Sequence, residues 1–183
     1  MADLATTGTG PLWTLEGVSP RLHPSVFVAP NAAIIGEVEI GEGSGIWFGC
    51  VLRGDTNFIR VGRRTNIQDG SVLHVARHTM PCILGDEVTV GHGAVVHACT
   101  VKNGGFVGMR ATVMDGAVIE EGGMLAGGSL LAPGKRIGRN ELWIGSPAKF
   151  VRVMTDEELE YNRLGMEHYV ELAARYRAGL RAG

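Results

Sequence analysis

Aliphatic residues recur at every sixth position through most of the chain. Three shorter series run from Leu22 to Leu52, from Val61 to Leu73 and from Leu84 to Val96. The longest uninterrupted series has seven members, Val101, Val107, Val113, Ile119, Leu125, Leu131 and Ile137. This period fits neither an amphipathic helix nor a strand of a two-faced sheet, whose side-chain periods are 3.6 and 2.

A triangular solenoid accounts for a period of six. Each hexapeptide makes one short strand and one corner, its aliphatic residue points inward, and glycine or another small residue turns the corner. Three hexapeptides then complete one coil of eighteen residues. We therefore predict a β fold, a left-handed parallel β-helix of hexapeptide repeats over residues 21–150.

Two flanking segments fall outside this repeat. Residues 1–20 contain Gly8, Gly10, Pro11 and Pro20, which predicts an irregular N-terminal lead-in. The string Thr155-Asp156-Glu157-Glu158 is typical of a capping box at the start of a helix. The apolar residues that follow form one stripe at helical spacing, so we predict a C-terminal helix over residues 155–178, packed on the outside of the solenoid.

The repeat is interrupted three times, and a solenoid can carry functional groups where its chain leaves the regular path. Leu52 and Val61 are nine residues apart. Leu73 and Leu84 are eleven apart, one fewer than two repeats, and Val96 and Val101 are five apart. The polar residues of the middle section cluster near these breaks: Arg53, Asp55, Asn66, Gln68, Asp69, His74, His92 and His97.

Three of these residues are histidines whose spacing suggests a shared metal. His74 and His92 are eighteen residues apart, which predicts that they lie near the same column, and His97 falls on the next face or corner. Ligands on different faces of one prism reach a single metal only if two prisms meet, as around a three-fold axis. Three neutral imidazoles with one open position are typical of a catalytic zinc site. The alternative for each is a corner histidine satisfied by hydrogen bonds.

Composition narrows the class of protein. The net charge is −2, so neither nucleic acid nor an anionic membrane is an expected partner. We find no signal peptide and no run long enough to span a bilayer, so a cytoplasmic protein without a membrane anchor is expected. The cysteines Cys50, Cys82 and Cys99 lack C-x-x-C spacing and have apolar neighbours, which indicates buried free thiols.

The residues around the breaks resemble the gamma-class carbonic anhydrase family. The resemblance is carried by three strings: residues 52–55 (LRGD), residues 66–74 (NIQDGSVLH) and residues 91–97 (GHGAVVH). It implies a left-handed β-helix homotrimer with a metal at each subunit interface. It also implies that His74 and His97 come from one chain and His92 from its neighbour.

The resemblance further implies zinc-dependent, reversible hydration of carbon dioxide to bicarbonate by a metal-bound hydroxide, with Fe²⁺ or Co²⁺ as possible metals instead of Zn²⁺. Gln68 is similar to the family residue that hydrogen-bonds the metal-bound water or bicarbonate, and Asn66 can point to the same side of its strand. Arg53 and Asp55 resemble the pair that ties subunits together, with Asp69 as a partner. A plain structural ion pair accounts for them equally well.

The chain departs from the family pattern in its acids. Some members carry glutamates where this chain has Thr56 and Asn57, and the loop 75–81 contains no acid. His78 in that loop is either a substitute proton shuttle or an ordinary surface residue. We therefore expect modest hydration activity, limited by proton transfer.

Two rival functions remain open. One is a non-catalytic or weakly active metal-binding hexapeptide protein, of the ferripyochelin-binding or carnitine-operon type. The other is a hexapeptide acyltransferase, which needs a general-base histidine and an acyl-CoA groove. Three clustered histidines are more than a transferase requires.

Overall fold

The computed structural model describes residues 10–181, a parallel β-solenoid of about seven turns followed by one helix. The predicted left-handed parallel β-helix with an external helix is confirmed. The strands are β1 (Leu12–Trp13), β2 (Arg21–Leu22), β3 (Phe27–Val28), β4 (Ala33–Ile40), β5 (Gly45–Ile46), β6 (Val51–Val61), β7 (Asn66–Ile67), β8 (Val72–His74), β9 (Cys82–Leu84), β10 (Thr89–Val90), β11 (Val95–His97), β12 (Thr100–Val101), β13 (Phe106–Val107), β14 (Thr112–Val113), β15 (Val118–Ile119), β16 (Met124–Leu125), β17 (Leu130–Leu131), β18 (Arg136–Ile137), β19 (Glu141–Gly145) and β20 (Ala148–Val153). The helix is α1 (Asp156–Gly179).

The strands line up on three faces. Face 1 is the stack β3, β5, β7, β10, β13, β16 and β19, closed at its end by the antiparallel β20. Face 2 contains β1, β8, β11, β14 and β17, and face 3 contains β2, β9, β12, β15 and β18. The two long strands, β4 and β6, run through the corner between faces 2 and 3 and contribute to both.

The core is a set of columns of aliphatic side chains. Every aliphatic residue of the four series from Val28 to Ile137 is buried, and Leu22, the first member of the first series, is partly buried. Each inward residue pairs in register with its equivalent in the next coil, as Ile67 does with Val90. Burial of apolar area is the main stabilising term for such a core.

Strand register shows what each sequence break does. The nine-residue interval lengthens one coil, so that Leu52 pairs with Leu73 rather than with a residue eighteen positions away. The eleven-residue interval between Leu73 and Leu84 contains one repeat and a five-residue loop. It is not two repeats with one residue missing, because Leu84 pairs in register with Val61 of the preceding coil. The five-residue interval shortens the next coil, which pairs Val96 with Val113.

The N-terminal lead-in is less irregular than predicted. Leu12 and Trp13 form β1, which pairs in parallel with Ile34 and Ile35 of β4. The solenoid therefore begins before residue 21, and its first strand lies within the segment predicted to be irregular. The part of that prediction concerning residues 1–9 lies outside the described residues.

Helix α1 begins as the sequence indicates. Thr155 is the N-cap, and it exchanges hydrogen bonds with Glu158 in a complete capping box. The helix contacts β3, β5 and β7, so it packs on face 1. The contact is aromatic: Trp47 lies 5.5 Å from Tyr169 and 5.1 Å from Tyr176, measured between ring centroids. Such edge-on aromatic pairs fix the helix against the solenoid.

The thiols are as the sequence predicts. Cys50, Cys82 and Cys99 are free and buried. Burial raises the pKa of the Cys50 thiol to about 12. Between residues 10 and 181, no helix is long and apolar enough to cross a membrane.

We expect Leu125→Ala to destabilise the solenoid by about 2–5 kcal/mol, since truncating a fully buried leucine removes apolar burial and leaves a cavity. Leu125 has 0% exposure. Leu164→Ala on α1 is the control, because its side chain is 51% exposed and its loss should cost about 0.5 kcal/mol or less. Denaturant unfolding of both variants at one protein concentration measures the difference. Equal losses would contradict the assignment of the core.

Candidate metal centre

His74 and His97 lie side by side on face 2. They are the last residues of β8 and β11, and parallel pairing of these strands places one directly beside the other. Arg53 of β6 continues the same row on the other side of His74. The inference from the eighteen-residue spacing, that His74 and His92 share a column, is wrong, because the loop after His74 lengthens that coil by five residues.

The two imidazoles face each other through ring nitrogens. Nδ1 of His74 lies 3.1 Å from Nε2 of His97. Two histidine nitrogens bound to one tetrahedral zinc at about 2.0–2.1 Å would be about 3.3 Å apart. Both side chains are partly buried, with 21% and 29% exposure. The pair therefore fits two ligands of one metal ion with little movement.

The other nitrogen of each ring binds a carboxylate. Nε2 of His74 lies 3.2 Å from Asp55 Oδ1, and Nδ1 of His97 lies 2.6 Å from Asp115 Oδ1. An ionised carboxylate only accepts hydrogen bonds, so each contact favours a proton on the nitrogen that faces it. The inner nitrogens, His74 Nδ1 and His97 Nε2, are hydrogen-bonded to each other in this structure, and they are the pair that a metal ion would bind in place of the shared proton. This arrangement is characteristic of histidine ligands in metal sites.

His92 lies apart from this pair. It occupies the turn between β10 and β11, at the corner of faces 1 and 2, whereas His97 lies at the other edge of face 2. Its Nδ1 is 2.9 Å from Asp69 Oδ2, and its Nε2 is 3.4 Å from the Tyr169 hydroxyl. His92 is thus a third histidine with one nitrogen against a carboxylate.

One chain does not complete a metal site. Within residues 10–181, no three histidine, cysteine, aspartate or glutamate side chains are arranged to hold a metal ion. The structure therefore brings together His74 and His97 of the three sequence-predicted ligands and keeps His92 at a separate corner. The other histidines, His23, His78 and His168, do not contact these three in the described part of the chain.

Arg53 and Asp55 form an ion pair within the chain. Burial tends to raise the pKa of Asp55, but its hydrogen bonds with Arg53 and His74 outweigh this effect and lower it. Asp55 is therefore held ionised beside His74. Asp69 does not join this pair within the chain; its carboxylate instead accepts the Phe48 backbone N–H at 3.2 Å and faces His92.

A buried row of polar side chains runs along face 1 toward His92. Gln68 donates through Nε2 to Asn66 Oδ1 at 3.0 Å, and Asn66 donates through Nδ2 to Thr89 Oγ1 at 3.0 Å. All three residues are buried. Gln68 and Asn66 do point to the same side, as the sequence suggests. Because this hydrogen bond uses one N–H of the Gln68 amide, Oε1 and the second N–H remain available to a ligand.

Three residues of this environment were missed by sequence reasoning. Asp115 follows His97 by eighteen residues, so the coil length could have revealed it. Thr89 is the pairing partner of Asn66 across the lengthened coil, which only the correct register exposes. Tyr169 is 77 residues from His92, and no periodic signal connects them. Burial, together with the nearby Asp69 carboxylate, raises the pKa of Tyr169.

The chain is similar in sequence and in structure to several known proteins. No protein-family model matches it. Over 160 residues it is 52% identical to gamma carbonic anhydrase 2, mitochondrial, of Arabidopsis thaliana, a match that covers 85% of this chain and 58% of that protein. The chain thus spans less than two thirds of that relative's length.

Two further relatives are matched over more of their own length. Carnitine operon protein CaiE of Salmonella agona is 38% identical over 168 residues, which cover 92% of this chain and 84% of that protein. A hexapeptide transferase family protein from Anaplasma phagocytophilum, known from its crystal structure, is 50% identical in sequence and superposes with a TM-score of 0.87. The match covers 90% of this chain and 97% of that one. The names of these proteins indicate different functions, so the choice between activities must rest on the geometry of the site.

We expect Thr89→Val to destabilise the protein by about 1–3 kcal/mol, because the buried Asn66 amide loses its acceptor while side-chain shape is preserved. Thr100→Val on face 3 is the matched control. Among the described residues the Thr100 side chain makes no hydrogen bond, so that change should be near neutral. Denaturant unfolding compares the two, and equal effects would show that the polar row contributes nothing to stability.

Proposed function

The chain belongs to the gamma-class carbonic anhydrase family of hexapeptide-repeat proteins, and on that premise we propose that it hydrates carbon dioxide reversibly to bicarbonate at zinc sites between the subunits of a homotrimer. The observation that carries the proposal is the facing pair of imidazole nitrogens on His74 and His97, each ring backed by a carboxylate.

Sharing of the site between chains follows from where His92 lies. One chain supplies two facing histidines and leaves the third at the opposite edge of the same face. A neighbouring chain, related by a three-fold axis, can bring its own His92 to the His74–His97 pair, and three such contacts close a ring. The metal would then have three imidazole ligands and one open position.

The outer surface between the two edges suits such a contact. Val51, Val72 and Val95 lie in register on the outer side of face 2, and Val95 is 38% exposed. Met109, in the corner turn stacked beside His92, is 61% exposed. Apolar side chains exposed together on a soluble domain are typical of an interface.

The donor set fits zinc, with ferrous iron or cobalt as alternatives, because neutral imidazoles suit all three ions. When bound, zinc would supply a Lewis acid that lowers the pKa of a coordinated water to about 7. The residues of the chain provide the surroundings. Asp55 would orient the His74 ring and Asp69 the His92 ring, which strengthens both as ligands.

Gln68 has the role of orienting the substrate or product. Its Nε2 already donates to Asn66, so its Oε1 and its second N–H remain to bind a water molecule or bicarbonate. Because Asn66 is itself held by Thr89, the amide has one favoured orientation. Proton transfer has no acidic side chain in loop 75–81 to assist it. His78 of that loop is exposed, and its Nε2 accepts from Arg77 Nε at 3.2 Å.

Two alternatives make different use of the same histidines. A hexapeptide acyltransferase needs one general-base histidine. That function does not explain why three histidine rings each contact a carboxylate. A metal-binding protein without rapid turnover would use the same three histidines and carboxylates. The similarity to a carnitine operon protein supports this alternative. A cytoplasmic location is likewise a proposal, and the name of the Arabidopsis relative specifies mitochondria.

We expect the purified protein to carry about one zinc per chain and to hydrate carbon dioxide, with activity lost on chelation and restored by zinc. His97→Ala should lose the metal while the solenoid, which rests on aliphatic stacking, stays folded. His78→Ala is the control and should keep full occupancy. Metal analysis and stopped-flow hydration measure both. A zinc-replete protein without hydration would favour the metal-binding alternative, and acetyl transfer from acetyl-CoA would favour the transferase.

A mixing experiment tests whether sites are shared between chains. Neither His92→Ala nor His97→Ala chains can form a complete site alone. In a mixed trimer, a His92→Ala chain supplies His74 and His97 to a His97→Ala neighbour that supplies His92, which restores about one site in three. A mixture of His74→Ala and His97→Ala chains is the control, because no chain then offers both paired ligands. Recovery in the control, or none in the first mixture after verified subunit exchange, would contradict the shared site.

A further inference from the structure

We propose that Asp115 is a positioning residue that fixes the tautomer of His97, keeping a proton on Nδ1 and leaving Nε2 bare toward His74. The inference rests on the proposed function only in naming zinc as what Nε2 would bind. The tautomer itself is a property of the metal-free chain.

The hydrogen bond is the shortest contact between a histidine and a carboxylate at the site. Asp115 Oδ1 lies 2.6 Å from His97 Nδ1, against 2.9 Å for Asp69 with His92 and 3.2 Å for Asp55 with His74. An ionised carboxylate has no proton to give, so the proton must be on Nδ1. In neutral imidazole the lone pair is then on Nε2, which accepts the hydrogen bond that His74 Nδ1 donates at 3.1 Å.

Asp115 is also the carboxylate with the fewest other partners. The carboxylate of Asp55 is shared with Arg53, and that of Asp69 with the Phe48 backbone N–H. Among the described hydrogen bonds and ion pairs, the Asp115 side chain has His97 alone. A carboxylate committed to one imidazole polarises it more than one whose charge is divided between donors.

The backbone of Asp115 is held from both neighbouring coils. Its carbonyl accepts the Gly134 N–H at 2.9 Å, and the N–H of the next residue, Gly116, donates to Ala98 O at 2.8 Å. Ala98 directly follows His97, so this second bond joins the turn of the carboxylate to the turn of the ligand. The distance between carboxylate and imidazole is therefore set by the solenoid and not by a mobile loop.

The test uses the full chain with and without metal. In the metal-free wild type, ¹⁵N NMR of the histidine rings should show His97 protonated at Nδ1. Asp115→Asn, whose amide can donate as well as accept, should weaken that preference. Zinc affinity, measured by chelator competition, should fall about 10- to 100-fold in this variant, with circular dichroism unchanged. Asp115→Glu keeps the carboxylate and should recover part of the loss.

Glu121→Gln is the matched control, since Glu121 pairs with Arg139 on another corner and should affect neither reading. Wild-type zinc affinity together with unchanged His97 ring shifts in Asp115→Asn would overturn the inference. If the wild type bound no zinc, the proposed function would fail, and the ring shifts alone would still decide the role of Asp115.

Discussion

The stacking of one buried aliphatic side chain in every hexapeptide governs the rest of this structure. Because each inward residue sits on its equivalent in the next coil, successive strands are locked in register and lie about 4.8 Å apart. Polar residues at equivalent places in successive coils are brought into contact by the same stacking. Arg53, His74 and His97 are neighbours for this reason, and Asp115 reaches His97 from the following turn.

The solenoid tolerates departures from the repeat at its corners but not along its columns. The residues added after Leu52 and after Leu73 both leave the coil at the corner between faces 2 and 3. There they hold each other, since His78 N–H donates to Thr56 O at 3.3 Å. The shortened interval after Val96 meets the same corner and places Ala98 at a φ of 46°, where a residue other than glycine is strained. All three irregularities thus surround the pair formed by His74 and His97.

The fold was predictable because a six-residue period needs no knowledge of contacts between distant residues. The columns from Val28 to Ile137 and the cap at Thr155 followed directly from the sequence. The pairing of His74 with His97 did not follow from spacing, since it depends on whether the eleven-residue interval contains one repeat or two. Only strand register decides that question. Asp115 could have been predicted, because it follows His97 by eighteen residues, the length of one coil. The position of Tyr169 depends on how α1 packs on face 1, which periodicity does not specify.

The division of the proposed ligands between two edges of a face would tie metal binding to assembly. In a single chain, His92 Nε2 faces the Tyr169 hydroxyl, and no local movement of a corner turn carries it across the strand Val95–His97 to the other pair. In the proposed trimer, the metal binds the assembled state with three imidazoles and a separated chain with only two. By linkage, zinc then stabilises the trimer by as much as assembly tightens zinc. In our proposal, Asp115 sets the tautomer of His97 before assembly, so each chain already presents Nε2 of that ring when the faces meet.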